Sequence, residues 1–190
     1  MWIGSQARWP PSRNAALVVA AAAVGVVAAA VLMTRSGYEP GGPIASARET
    51  SVTTHARPGT PMTWGTVLPE NPTAVDIVIE SIQPSAPASG LTILGIGVSD
   101  PRRGAVGTAA SYPPPGITPL DVAGAVMTPR TGSSPFLQVV VGIRLDDSRE
   151  GRIAGLRIRY LTGGRRFETV LHDALVVLPP ETSSRHGIRG

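Results

Sequence analysis

Residues 155–171 read Gly155-Leu156-Arg157-Ile158-Arg159-Tyr160-Leu161-Thr162-Gly163-Gly164-Arg165-Arg166-Phe167-Glu168-Thr169-Val170-Leu171, and this stretch decides the fold. Before Gly163-Gly164 apolar and charged residues alternate with a period of two, the mark of a half-buried strand. A two-residue Gly-Gly loop readily takes the positive φ angles of a type I′ turn, which predicts a hairpin. That turn also sets a register. Tyr160 falls opposite Phe167 on one face, and Arg159 falls opposite Glu168 on the other. Both are favourable cross-strand pairs. Leu156, Ile158 and Tyr160 are therefore expected in the core, with Arg157 and Arg159 toward water.

Outward from the hairpin, Leu137, Val139, Val141, Ile143 and Leu145 share one face of a strand between Phe136 and Leu145, opposite Gln138, Gly142 and Arg144. Val75, Ile77 and Ile79 alternate upstream, Leu91 to Val98 is a short apolar run, and Ala174 to Leu178 closes the series. A weaker strand is expected over Val122 to Thr128. The chain holds 22 Gly and 19 Pro but only 4% aromatic residues, which favours short strands and many turns over long helices. The pattern predicts an all-β domain over residues 70–180, an Ig-like β-sandwich of about seven strands.

Upstream, residues 15–33 form an apolar run of 19 residues with no charge, flanked by Arg8 and Arg13 before it and Arg35 after. As an α-helix it would span about 28 Å, close to the hydrocarbon thickness of a bilayer. It is apolar on every side, unlike the one-faced helix of a soluble core. An uncleaved transmembrane signal anchor is expected, with a short cytoplasmic segment at 1–14 and the C-terminal domain outside the cytoplasm, because Arg8, Arg13 and the terminal amine outweigh Arg35. Secretion after signal cleavage is the competing reading. Ala21, Gly25 and Ala29 form a small-xxx-small line, but in so Ala-rich a run such a line arises without meaning. Residues 34–69, rich in Gly, Pro, Ser and Thr without a sustained period, are expected to be a disordered stalk, and 181–190 a flexible tail.

Seventeen basic residues, all Arg, against 13 acidic ones give a net charge of +4. Between Glu70 and Pro180 the charges balance, so the excess lies in the flanks, stalk and tail. No basic stripe with interleaved aromatics remains to track a phosphate backbone, and nucleic acid is not expected as a partner. The absence of Cys excludes thiol nucleophiles, thiolate metal sites, disulfides and a sortase-type transpeptidase.

Candidate chemistry is sparse. His172-Asp173 is the one adjacent base and carboxylate, but neighbours on a strand point apart, so a turn role is expected for His172. His55 and His186 lack metal-ligand spacing. Asp146 to Gly151 lacks the alternating oxygen ligands of a calcium loop and reads as a polar turn. No catalytic residue, metal ligand or cofactor is assigned. Two surfaces remain. Arg144, Arg157 and Arg159, with Arg165 and Arg166 at one end, could line a sheet face that binds anionic wall polymers or lipid headgroups. The loop from Ser99 to Asp121 carries Arg102, Arg103 and the run Tyr112-Pro113-Pro114-Pro115, a candidate binding lip.

The Gly155 to Tyr160 strand, the Gly163-Gly164-Arg165 hairpin and the anchor-stalk-domain plan together resemble a loose group of actinobacterial membrane-anchored proteins with small Ig-like or related β-sandwich ectodomains. The GC-rich codon bias implied by abundant Ala, Gly, Pro and Arg fits such a source. The group has no assigned activity, so the resemblance implies a fold and a location but no site residues. Unlike an antibody-type domain, the sequence has no disulfide and no evident central Trp. The function expected is an extracytoplasmic interaction or accessory domain, with an envelope protein as one partner besides the membrane. The alternatives are a binder of anionic envelope polymers and, third, an envelope hydrolase using His172.

Overall fold

The hairpin over residues 156–171 follows from alternation already visible in the sequence. A computed structural model describes residues 37–46, 49–131, 136–147 and 149–180 of the chain. In chain order these contain β1 (Glu39–Pro40), β2 (Ala45–Ser46), β3 (Ser51–His55), β4 (Pro61–Val67), β5 (Pro69–Glu70), β6 (Ile77–Pro84) and β7 (Leu91–Ser99), then a 3-10 turn at Pro101–Arg103. There follow β8 (Thr108–Ala109), β9 (Val126–Met127), β10 (Gln138–Leu145), β11 (Gly151–Ile153), β12 (Leu156–Thr162), β13 (Arg165–Leu171) and β14 (Ala174–Leu178). The protein is all-β, built of several sheets. The fourteen strands among the described residues exceed the seven expected because strands of two or three residues pair at the margins of the longer ones.

The largest sheet runs β1-β13-β12-β6-β9, and a second runs β7-β10-β4-β8. Two smaller sheets, β11-β14-β3 and β2-β5, complete the set. The β12–β13 hairpin has the register expected from its turn, with Tyr160 opposite Phe167 and Arg159 opposite Glu168. Leu156, Ile158 and Tyr160 are buried as the alternation requires. Tyr160 and Phe167 stack with ring centroids 5.7 Å apart, a geometry that adds about 1 kcal/mol beyond area burial.

The two large sheets face each other across one core. Ile77, Ile79, Met127, Ile158 and Tyr160 from the first meet Met62, Trp64, Val98, Val141 and Ile143 from the second, with Ile153, Leu175 and Val177 added from the third sheet. Each such aliphatic side chain contributes about 1.5–3 kcal/mol when fully buried.

Residues 34–69 are not a disordered stalk throughout, and the domain does not begin at residue 70. The unit that holds the strands begins at Glu39, and β1 to β5 all lie upstream of residue 71. β4 sits between β10 and β8 in the second sheet and carries Trp64, which is fully buried at the centre of the core. The reason β4 escapes a period-two reading is a bulge. Its pairing with β10 slips between Val139 and Val141, so the core residues Met62, Trp64 and Val67 are spaced two and then three apart. A bulge of this kind breaks the alternation while keeping all three side chains inside. β3 carries a single apolar residue, Val52, and gains its order by parallel pairing with β14 from Ala174↔Ser51 to Leu178↔His55. Its backbone hydrogen bonds, not its burial, place it.

No helix among the described residues is long and apolar enough to cross a membrane. The expected anchor at 15–33, the segment at 1–14 and the tail at 181–190 lie outside the described residues.

Candidate functional site

The loop after β7 folds back over the outer face of the second sheet instead of standing away from it, and small residues on that face make this possible. Gly95 and Gly142 are register partners on β7 and β10. The Tyr112 ring lies over both, so that a methyl group at Gly142 would overlap the ring and one at Gly95 would come within 2.5 Å of its Oη. Thr63 Oγ1 donates to Ser111 O at 2.5 Å beside it. Further along, Val98 and Leu120 exchange backbone hydrogen bonds at 3.0 and 2.8 Å. Tyr112 is therefore half-buried against the sheet and not displayed as a lip.

Gln138 fixes the start of the same loop. This fully buried side chain accepts a hydrogen bond from Val106 N at 2.9 Å and one from Ser99 Oγ at 3.3 Å. Its Nε2 donates to Val106 O at 2.6 Å and to Gly65 O. One amide thus satisfies both polar groups of Val106 and joins β4, β7 and β10 to the loop, which is what a buried polar side chain must do to avoid a desolvation penalty.

Between the loop and the sheets lies a cleft of about 530 Å³, within the usual range for small-ligand sites. Its walls come from the end of β7 (Val98, Ser99), the 3-10 turn (Asp100, Arg103), the return of the loop (Ile117, Leu120), β9 (Val126) and the approach to β10 (Phe136, Leu137). Three of its apolar side chains remain in solvent: Leu120 is 66% exposed, Val126 42% and Phe136 36%. The other large exposed apolar residues among those described, Val75, Leu94 and Leu161, do not line it. The charge in its wall is unevenly satisfied. Arg102 grips Asp100 with Nε at 3.0 Å and Nη2 at 2.7 Å, and its backbone N–H donates to the same carboxylate. These bonds hold the Asp100 carboxyl down to about 2, the side-chain bond first. Arg103 makes no ion pair among the described residues.

The arginines expected to share one face divide between two sheets. Arg144 lies on β10, paired with Thr92 and Pro61 in the second sheet, while Arg157, Arg159, Arg165 and Arg166 lie on β12 and β13. The latter four are matched by carboxylates. Arg159 Nε donates to Glu168 Oε2 at 2.7 Å, Arg166 Nε to Glu80 Oε1 at 3.1 Å, and Arg165 Nε to Glu39 Oε1 at 2.9 Å. Arg165 also lies over the Phe167 ring at 5.3 Å. Arg157 Nε lies 3.3 Å from Glu168 Oε1 without hydrogen-bond alignment and is buried, while its Nη2 donates to Ser85 O at 3.2 Å. Glu168 therefore serves two arginines.

His172 is exposed and Asp173 buried, in the connection between β13 and β14. Asp173 is occupied: it accepts from Ser46 Oγ at 3.0 Å, Thr50 N at 3.0 Å and Thr50 Oγ1 at 2.9 Å. It ties the end of β2 and the residue before β3 down beside β14. In the polar turn after β10, Asp146 accepts from Thr92 Oγ1 at 2.5 Å and Asp147 from Arg149 N at 2.8 Å. Among the described residues no three His, Asp or Glu side chains gather as a metal site would require.

Sequence reasoning missed Gln138, Asp173 and the apolar rim of the cleft. Gln138 carried a usable signal, since a polar residue inside a strongly apolar run is either solvent-facing or an organiser of hydrogen bonds. The rim carried none, because isolated Leu120, Val126 and Phe136 are unremarked until the fold brings them together.

No protein family matches the chain, and no curated protein matches it. Among solved structures, the VesB protease of Vibrio cholerae is similar at 10% identity and a TM-score of 0.37, over 71% of this chain and 31% of that one. The ASH/PapD-like domain 7 of human CEP192 is similar at 13% identity and a TM-score of 0.37, over 73% of this chain and 86% of that one. The secreted serine protease VesC of Vibrio cholerae is similar at 12% identity and a TM-score of 0.31, over 72% of this chain and 23% of that one. The chain spans less than a third of either protease, and no functional residue is carried across from any of the three.

Proposed function

We propose that the chain is a binding module, an Ig-like sandwich held outside the cytoplasm by its N-terminal apolar segment, and that it works through the cleft beside the loop after β7. The observation that carries this reading is the grouping of exposed Leu120, Val126 and Phe136 around one concavity. Exposed apolar side chains that cluster on a rim are the usual mark of an interaction site, whereas scattered ones are not. The pairing of Arg159, Arg165 and Arg166 with carboxylates makes the β12–β13 face a poorer candidate.

The test places a photo-crosslinking phenylalanine analogue at Val126 in the full chain, within its native envelope. A partner captured from Val126, and lost when Leu120→Ser and Phe136→Ser are added, supports the reading. Capture that ignores those substitutions, or that occurs equally from Arg166, refutes it. Fractionation with N-terminal sequencing tests the location: intact Met1 or Trp2 in the membrane fraction supports a retained anchor, and a soluble chain beginning past residue 28 replaces it with a secreted domain.

A second reading, binding of anionic envelope polymers, is favoured by one observation. Arg157 and Arg159 both lie against Glu168, so two guanidinium groups are presented side by side on that face. It predicts salt-sensitive sedimentation with isolated walls, abolished by Arg157→Ser with Arg159→Ser. Sedimentation indifferent to either change rules it out.

A further inference from the structure

The geometry points to a small amphipathic anion, one carboxylate on a compact apolar body, as the ligand class of the cleft beside the loop after β7, with Arg103 taking the carboxylate. This rests on the reading that the cleft is the working surface. Volume comes first: about 530 Å³ suits a small molecule. The walls come second. Val98, Ile117, Leu120, Val126, Phe136 and Leu137 supply apolar surface from both sides, and burying a ligand against the exposed part of it gains about 25 cal/mol per Å².

The charge arrangement selects the sign of the ligand. Two charged side chains line the cleft, Asp100 and Arg103. The Asp100 carboxylate already accepts three hydrogen bonds from Arg102, so it offers little to a cation. Arg103 has no ion pair among the described residues, and its backbone is fixed by the 3-10 turn, where Arg103 N donates to Asp100 O at 3.0 Å. A guanidinium whose backbone is held, and whose one carboxylate neighbour in the cleft, Asp100, is already hydrogen-bonded by Arg102, is suited to a planar carboxylate, which it can meet with two parallel hydrogen bonds. A neutral ligand of the same shape would leave that capacity unused.

The experiment uses the full chain and the photoreactive probe 4-benzoylbenzoate, with 4-benzoylbenzamide as its neutral counterpart and 2-naphthoate as competitor. Covalent labelling is mapped by mass spectrometry. The expected result is saturable labelling within residues 98–104, 116–126 and 136–137, displaced by 2-naphthoate. Arg103→Gln should weaken the apparent affinity about fivefold, the upper end for an exposed charge pair, and Leu120→Ser should weaken it independently. Both side chains are exposed and the backbone bonds of these residues are kept in the variants, so thermal melting of each variant should be unchanged. Labelling spread over the whole surface overturns the inference, as does equal labelling by the amide or indifference to Arg103→Gln. If Val126 still captures a partner while the probe fails, the ligand class is wrong and the cleft stands. If neither occurs, both fall.

Discussion

Gln138 offers the sharpest test of how the loop after β7 is held, because its two ends do different chemistry. Gln138→Leu keeps the volume and removes every hydrogen bond. Val106 N, Val106 O and Gly65 O then lose the partners they have in the native protein, and each orphaned buried group costs about 1–3 kcal/mol. Water can reach part of the loop, so the expected loss is about 2–4 kcal/mol, not the full sum. Gln138→Glu is the discriminating variant. Its carboxylate still accepts from Val106 N but turns an oxygen toward the two carbonyls where Nε2 had donated. Burial and those carbonyls must raise its folded-state pKa above the ordinary value of about 4.3. The folded state therefore binds the proton more tightly than the unfolded chain. The penalty is full above the folded-state pKa and is relieved as pH falls toward the unfolded value, where a protonated carboxyl can donate to one carbonyl again. Urea denaturation across pH 4–8, with hydrogen exchange at the Val106 amide, reads both effects. Gln138→Glu should be the less stable of the two at neutral pH and should recover on acidification, while Gln138→Leu should show no such slope. Unchanged midpoints with native protection at Val106, or matching pH profiles for the two variants, would refute the proposed role of Gln138.

Further outcomes follow from the same geometry. Tyr160 is buried with its hydroxyl bound to Gly41 O at 3.2 Å and receiving Ile44 N at 3.3 Å, and burial raises its pKa above that of a free phenol. Its contribution is complete below the unfolded value of about 10 and fades as pH rises through the folded value, so Tyr160→Phe should cost about 1 kcal/mol at pH 7 and flatten the alkaline limb of a melting-temperature profile. Glu168→Gln removes the carboxylate shared by Arg157 and Arg159. With all three side chains about two-thirds buried, the expected cost is about 1–2 kcal/mol, measured by chemical denaturation, with no loss if water replaces the carboxylate. Gly142→Ala places a methyl group into the Tyr112 ring; overpacking of this kind costs about 1–3 kcal/mol, and Tyr112→Ala in the same chain should recover part of it, which a double-mutant cycle would detect.

The β12–β13 hairpin was legible from residues 155–171 alone because everything that fixes it is local. The Gly163-Gly164 turn sets the register, and each face carries its own complementary pair. His172 and Asp173, read from the sequence as strand neighbours, lie instead in the two-residue connection between β13 and β14, with His172 exposed and Asp173 buried. The charged face was legible only in part. Arg159 with Glu168 follows from hairpin register, but Glu39 and Glu80 reach Arg165 and Arg166 from β1 and β6, over separations of 126 and 86 residues. Nothing in the spacing of those residues announces the neutralisation, and the separation of Arg144 into another sheet was equally invisible.

What the sequence by itself determined is therefore the β class, the hairpin and the central apolar strand, since a period of two is a property of one strand and its own burial. Tertiary structure alone decided where the domain starts, because β1 to β3 are held by backbone pairing to β13, β5 and β14, and a backbone hydrogen bond leaves no mark on side-chain pattern. It also decided that β4 belongs to the core, through a bulge that shifts the alternation midway. The cleft belongs to the same class of feature. Its walls come from β7, β9, the loop between them and the approach to β10, and Gly95 and Gly142 matter only because Tyr112 arrives over them from a distant point in the chain.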